Sequence, residues 1–195
     1  MRPVLLLLIV TLLGCGQRTM PTMPGNAASS ASCVVEPDTR PAFALDPAKP
    51  FVIELGRGGG LDGLDIVKIN ETGRVELTQV LGKPIDESAQ LQLIAADVSK
   101  LVALINSQKI TSLGRSYTDP AIADGSQWIL WIEQSPHEKA IFFNNSFPPQ
   151  LMKFVEELDA VLEKNGLNSV AWKPAPQPQT SLQHQALWGR IQSRP

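Results

Sequence analysis

The 195-residue sequence predicts an α+β fold: an antiparallel sheet of about five strands, in the order β-β-β-α-β-β-α, with two helices on one face. Three observations carry this. Apolar and polar residues alternate between positions 51 and 80, the period of half-buried strands. Apolar residues then recur at spacings of three and four over 98–105 and again over 151–162, the period of amphipathic helices. Between those stripes lie two apolar runs, Trp128–Ile132 and Ile141–Phe143, separated by a turn centred on Ser135-Pro136-His137-Glu138.

Each element follows in order. Phe51, Ile53 and Leu55 alternate with Val52 and Glu54, so the first strand has one buried side and stops at Gly56. The second runs from Leu64 to Asn70 and leaves through Asn70-Glu71-Thr72-Gly73, a hairpin turn whose glycine takes the left-handed conformation without steric cost. The third, Arg74 to Val80, points Val75 and Leu77 inward and completes a meander. After Gly82-Lys83-Pro84, Leu91 and Leu93 leave room for a short extended piece. In the first helix Asp97 complements the dipole, and Val98, Leu101, Val102 and Ile105 share one face. A loop from Thr111 to Ser126 precedes the strands Gln127–Glu133 and Lys139–Phe143, which are apolar on both sides of the pleat and so belong in the middle of the sheet or under a helix. Ser146 and Pro148-Pro149 start the last helix, Leu151, Phe154, Val155, Leu158, Val161 and Leu162 form its stripe, and Asn165-Gly166 ends it.

Ahead of this core, residues 1–14 have the parts of an export signal: Arg2, the apolar run Val4 to Leu13, and small Gly14. The run is too short to span a bilayer, which takes about 20 apolar residues. Leu12-Leu13-Gly14-Cys15 resembles the lipobox of bacterial lipoproteins. That resemblance implies cleavage before Cys15, a diacylglyceryl group on its sulfur and, usually, an acyl chain on the new amino group. Gly16 stands where lipoproteins held at an inner membrane often carry aspartate, so the resemblance favours the periplasmic side of an outer membrane in a two-membrane cell. The expected organisation is a signal peptide over 1–14, lipidated Cys15 with a disordered Pro-, Ser- and Ala-rich tether to residue 50, one domain over 51–172, and a Pro- and Gln-rich tail over 173–195.

Charge narrows the partners. With 17 Lys and Arg against 19 Asp and Glu, the net charge of −2 lacks the basic footprint of a nucleic-acid binder. It also supplies no polybasic patch for an anionic bilayer, so the membrane is reached through the lipid on Cys15. Cys33 is then left without an intrachain partner. It is an idle thiol, a link between two chains or, without lipidation, a bond to Cys15.

Over 51–172, the run Gly58-Gly59-Gly60-Leu61-Asp62-Gly63, a strand closing in Gly73, Tyr117-Thr118-Asp119, a hairpin with Lys139 and the Pro148-led helix before Trp172 resemble an uncharacterised domain of bacterial lipoproteins and secreted proteins. Members of that family often have cysteines and a proline around the first glycine loop, and this chain lacks them. The family has no assigned activity, so the resemblance implies fold and export and carries over no catalytic residue.

Four candidate sites come from the residues themselves. Gly56-Arg57-Gly58-Gly59-Gly60 could cradle an anion, yet it lacks a Gly-Lys-Ser/Thr ending and runs into a strand, so a hairpin loop is the simpler reading. Asp119 and Asp124, with Asp62 and Asp65, could form an acid/base pair or a calcium site, but their spacing fits no calcium loop and loop aspartates commonly close turns. His137 and His184 have no second ligand at zinc-binding spacing. Trp128 and Trp131 lie on opposite faces of one strand, with core packing expected and a groove for sugar or peptide as the alternative. No cofactor, metal or catalytic residue is expected.

The tail adds a fifth. After the spacer Lys173-Pro174-Ala175-Pro176-Gln177-Pro178, the residues Leu182, Ala186, Leu187 and Ile191, with Trp188, form an amphipathic stripe begun by Ser181. Alone, such a helix is marginal. It stays unfolded, folds back on the domain or docks into a partner's groove, and docking with a partner is preferred. The whole reads as a membrane-tethered, non-enzymatic envelope module that binds a protein or cell-wall component. The alternative is a small-ligand-binding protein or hydrolase on loops 56–65 and 117–125, with Arg57, Asp62, Asp119 and Asp124 in a shared polar cleft.

Overall fold

The computed structural model describes residues 33–59, 63–80, 83, 85–123, 125–175, 187–189 and 191. The expected signal peptide, Cys15 and the first part of the tether lie outside the described residues, as do Asp62, Asp124, Leu182 and His184.

The described strands are β1 (Val34–Glu36), β2 (Val52–Gly59), β3 (Leu64–Asn70), β4 (Arg74–Gln79), β5 (Glu87–Gln92), β6 (Ser116–Thr118), β7 (Ser126–Gln134), β8 (His137–Asn144) and β9 (Lys173–Pro174). They form one sheet in the order β1-β6-β8-β7-β2-β3-β4-β5-β9. Every pairing is antiparallel except that of β6 with β8. Two α-helices, α1 (Ala95–Ser107) and α2 (Pro149–Lys164), pack on each other and on one face. The α+β class is therefore as the sequence predicts, and the sheet is wider than five strands. β5 grows from the short extended piece before α1, whereas β1, β6 and β9 arise in stretches read as tether, loop and tail.

Alternation assigns the two faces. Ile53 and Leu55 of β2, Val67 and Ile69 of β3, Val75 and Leu77 of β4, Leu130 and Ile132 of β7, and Ile141 and Phe143 of β8 meet Leu101 and Ile105 of α1 and Leu151, Phe154 and Leu158 of α2 in one cluster. The residues between them, Leu64, Ile66, Ile129, Trp131 and Ala140, form a second cluster on the opposite face. This is why β7 and β8 read as apolar on both sides: they are central and covered twice.

Local chemistry sets the turns and the helix ends. Gly73 sits at φ +80°, and Asn70 Oδ1 accepts from the backbone N–H of Thr72 and of Arg74, both at 3.1 Å, closing the β3–β4 hairpin. β7 turns into β8 through Ser135-Pro136, joined by a cis peptide bond. Pro149 opens α2, and Gly166 at φ +98° follows its Asn165 cap. Buried Asp97 in the first turn of α1 accepts from Lys164 Nζ at 2.7 Å and Asn165 Nδ2 at 2.8 Å, which clasps the start of α1 to the end of α2. The Asn165 amide and the Lys164 ammonium hold its carboxyl below the usual range.

Residues 33–50, assigned to the tether by composition, run along the domain as an arm. Leu45 is buried in the core, with its N–H donating to Asn106 Oδ1 at 2.8 Å and its carbonyl accepting from Asn106 Nδ2 at 2.9 Å. The Gln134 side chain brackets Asp46 in the same way, at 2.8 and 2.9 Å. Thr111 Oγ1 accepts from the Phe43 N–H at 3.3 Å and donates to its carbonyl, while the Phe43 ring stacks on His137. Side chains distant in sequence thus satisfy the backbone of a segment that has no period of its own.

Candidate functional site

A groove of about 570 Å³ opens on the non-helical face of the sheet, where β6 and β8 meet the arm that carries β1. Ala140 and Phe142 of β8 make its floor, Ser116 and Thr118 of β6 add hydroxyls, and Ile191 closes one side. Arg40, Arg115, Glu36 and Glu138 form a rim of mixed charge. Glu36 Oε2 accepts from Arg115 Nε at 2.9 Å, and the Ser116 hydroxyl together with that guanidinium holds the Glu36 carboxyl below its usual range.

The rim is set by a buried ionic cluster. Asp38 accepts from the Arg40 backbone N–H at 3.0 Å, from Arg40 Nε at 3.1 Å and Nη2 at 2.8 Å, and from Lys139 Nζ at 2.9 Å. The side chains of Asp38 and Lys139 are only 7% and 3% exposed. Burial works against the Asp38 charge, but the Arg40 side chain and N–H and the Lys139 ammonium outweigh it, so its carboxyl titrates well below the usual range. Burial lowers the pKa of Lys139, with Asp38 opposing that shift and Arg40 adding to it. Lys139 Nζ also donates to the carbonyl of Leu113. The cluster therefore ties the arm to β8 and to the turn before β6, and it leaves Arg40 beside Glu138, with Nη1 3.9 Å from Oε1. An apolar floor under hydroxyls and charges of both signs suits noncovalent binding of an amphipathic group. Exposed pairs such as Arg115–Glu36 contribute little by themselves and exchange readily for a ligand's charges.

Of the described residues singled out from the sequence, Ile191 lines the groove, whereas Arg57, Asp119, Trp128 and Trp131 are engaged outside it. Arg57 reaches across to α2 and pairs with Asp159, Nη1 to Oδ2 at 2.8 Å. Asp119 closes its own turn, Oδ1 accepting from the Ala121 N–H at 2.9 Å. Residues 56–59, expected to leave the first strand as a loop, instead continue β2 and pair with β7 as far as Gly59 with Ser126, because both neighbouring strands offer their backbone groups there. The Arg57 and Asp119 side chains have separate partners. Asp62 and Asp124 lie outside the described residues, so the expected cleft is not assembled from Arg57 and Asp119 alone. Trp131 belongs to the cluster opposite the helices, and Trp128 packs 4.4 Å from Phe147 on the helical side. Among the described residues, no group of three or more His, Cys, Asp and Glu side chains could hold a metal ion.

Three residues of the tail stripe pack on the domain. Leu187 is fully buried against Leu64 in the non-helical cluster, Trp188 lies 5.4 Å from the Phe142 ring, and Ile191 packs against the same cluster. Of the alternatives set out for the tail, these three residues take the one in which it folds back on the domain. The physical reason is that an unoccupied apolar sheet face lies within reach of an apolar stripe.

One residue of the groove's support was readable in the sequence. Lys139 shares its strand parity with Ile141 and Phe143, which puts an ammonium on a buried face and demands a partner. The partner, Asp38, lies in the Pro-rich arm between Glu36 and Arg40, where no periodicity marks the place. The chain matches no protein-family model and no curated protein.

Proposed function

We propose that the protein is a lipid-anchored module of a bacterial cell envelope, held through Cys15 on the periplasmic side of an outer membrane, which binds an envelope protein or cell-wall component in the groove beside the arm. The observation that carries the binding role is the groove itself. Segments far apart in the chain, around Glu36–Arg40, Arg115–Thr118, Glu138–Phe142 and Ile191, line one cavity, and a buried ion pair holds its rim. Such a rigid mixed-charge cavity orients a ligand and needs no reacting group. The anchor rests on the lipobox-like Leu12-Leu13-Gly14-Cys15.

A photo-crosslinking residue at Thr118, inside the groove, is compared in cells with one at Glu156, exposed on α2. A defined adduct at Thr118 and none at Glu156 is the expected result. Equal labelling at both positions, or none, removes the groove as the binding site. For the anchor, Cys15→Ala should move the protein from the detergent phase to the soluble envelope fraction; unchanged partitioning would refute lipidation.

A further inference from the structure

We infer that the groove beside the arm takes a free carboxylate carried next to an apolar side chain, the chemistry of a peptide's carboxyl end, with the carboxylate on Arg40 and Arg115. This rests on the reading of the groove as the binding site and adds the class of ligand. What carries it is a surplus of donors on guanidiniums whose charges already have partners. Asp38 takes Nε and Nη2 of Arg40, but Nη1 of the same group is buried and has no hydrogen-bond acceptor among the described residues. Glu138 Oε1 stands 3.9 Å away, beyond hydrogen-bond reach. Arg115 is used only in part as well. Glu36 Oε2 accepts from its Nε at 2.9 Å, and among the described residues its Nη1 and Nη2 donate to no side chain. A buried N–H without an acceptor is costly, and an oxygen brought by a ligand removes that cost. Arg40 is also held in place by the buried Asp38–Lys139 pair, so little side-chain freedom is lost when it binds.

The rest of the groove selects among anions. A guanidinium presents parallel N–H groups that match the two oxygens of a carboxylate or a phosphate. Glu36 and Glu138 share the rim and repel further negative charge, so a singly charged carboxylate fits better than a dianionic phosphate. Thr118 adds a hydroxyl donor at the same wall. Ala140, Phe142 and Ile191 form an apolar floor that an aliphatic side chain beside the carboxylate covers. At about 570 Å³ the groove has the size of a small-ligand site, with room for the last few residues of a peptide and not for a folded partner. Protein chains and cell-wall peptides both display such ends.

The test is an NMR titration of the intact, isotopically labelled protein in detergent with acetyl-Ala-Ala-Leu as the free acid and as the carboxamide. The free acid should shift the backbone amides of Arg40, Arg115, Thr118 and Phe142 saturably, and the carboxamide should bind at least about ten times more weakly. Arg115→Gln, which removes only an exposed pair, should weaken the free acid about tenfold at an unchanged melting temperature. Glu36→Gln should tighten it by removing a competing carboxylate. Arg115→Lys keeps the charge and loses the fork, so undiminished binding by both Arg115 variants overturns the assignment to Arg115. Equal affinity for acid and carboxamide overturns the inference and leaves the groove a binding site, as does inorganic phosphate binding more tightly than the acid. If neither peptide shifts the groove amides while the Thr118 crosslink still forms its adduct, the ligand is of another class and the inference falls. If the adduct is missing too, the reading of the groove falls with it. Tighter binding of a peptide ending in D-Ala than of its L-Ala twin would support the inference with a cell-wall peptide as the source, and the reverse would support it with a protein's carboxyl end.

Discussion

One face of the sheet is covered by two helices of 13 and 16 residues that bury Leu101, Ile105, Leu151, Phe154 and Leu158 against five central strands, whereas the other is covered around Leu64 and Ile129 by a turn bearing Leu187. Both coverings use fully buried aliphatic side chains, so burial alone does not separate them. What separates them is how much else must come apart when one is removed. The helices share a clasp at Asp97 and one continuous core, so they leave only when the domain unfolds. The turn packs in a separate cluster on the other face, so it is expected to come away before the helices do. A buried residue is thus worth its full transfer and cavity energy on the first face, but on the second no more than the docking energy of its segment.

Substitutions can break or sharpen this contrast. The largest effect is expected from Phe154→Ala, which should cost about 3–5 kcal/mol in urea unfolding, with one cooperative transition. Lys139→Ala comes next, at about 3 kcal/mol, because it leaves Asp38 buried with only Arg40 to compensate it. The double variant Asp38→Leu/Lys139→Met should recover much of that loss, and no recovery would mean the pair does more than tie down the arm.

The same pair predicts an acid limb. The folded-state pKa of Asp38 lies below its unfolded value, so its stabilisation is complete above the unfolded value near pH 4 and is lost as pH falls towards the folded one. Asp97 and Glu36 shift in the same direction. Unfolding free energy should therefore drop steeply below about pH 4, and Asp38→Asn should flatten the slope. Leu187→Ala should cost less, about 1–2 kcal/mol, and its increase in hydrogen exchange should stay within β2, β3 and β7. A loss equal to that of Phe154→Ala, spread over the whole domain, would erase the contrast between the faces. Trp188→Ala is expected to be the mildest, about 0.5–1 kcal/mol, through its tilted contact with Phe142.

The elements that could be read from the sequence are those whose signal is local. β2, β3, β4, β7 and β8 alternate within their own spans, and the stripes of α1 and α2 recur every three or four residues. β1 and β6 are three residues each, too short for a period, and exist because each finds a neighbour: β1 pairs with β6, and β6 lies parallel to β8. The arm was hidden for a related reason, since Asn106, Thr111 and Gln134 supply its hydrogen bonds from 61 or more residues away. The site was less legible than the fold. Arg57 and Asp119 have the right chemistry for a polar cleft, but Asp159 and the Ala121 N–H had already engaged them.

The sequence by itself determined the α+β class, the order of the main strands and helices, the hairpin at Gly73 and the apolar stripe of the tail. Tertiary structure alone decided that Asp38 answers Lys139, that the Pro-rich arm walls a groove, and that Leu187 goes home to Gly56 and Leu64. Periodicity within a dozen residues states which side of an element must be buried. Which surface buries it depends on contacts between segments a hundred residues apart, and those exist only once the chain has closed on itself.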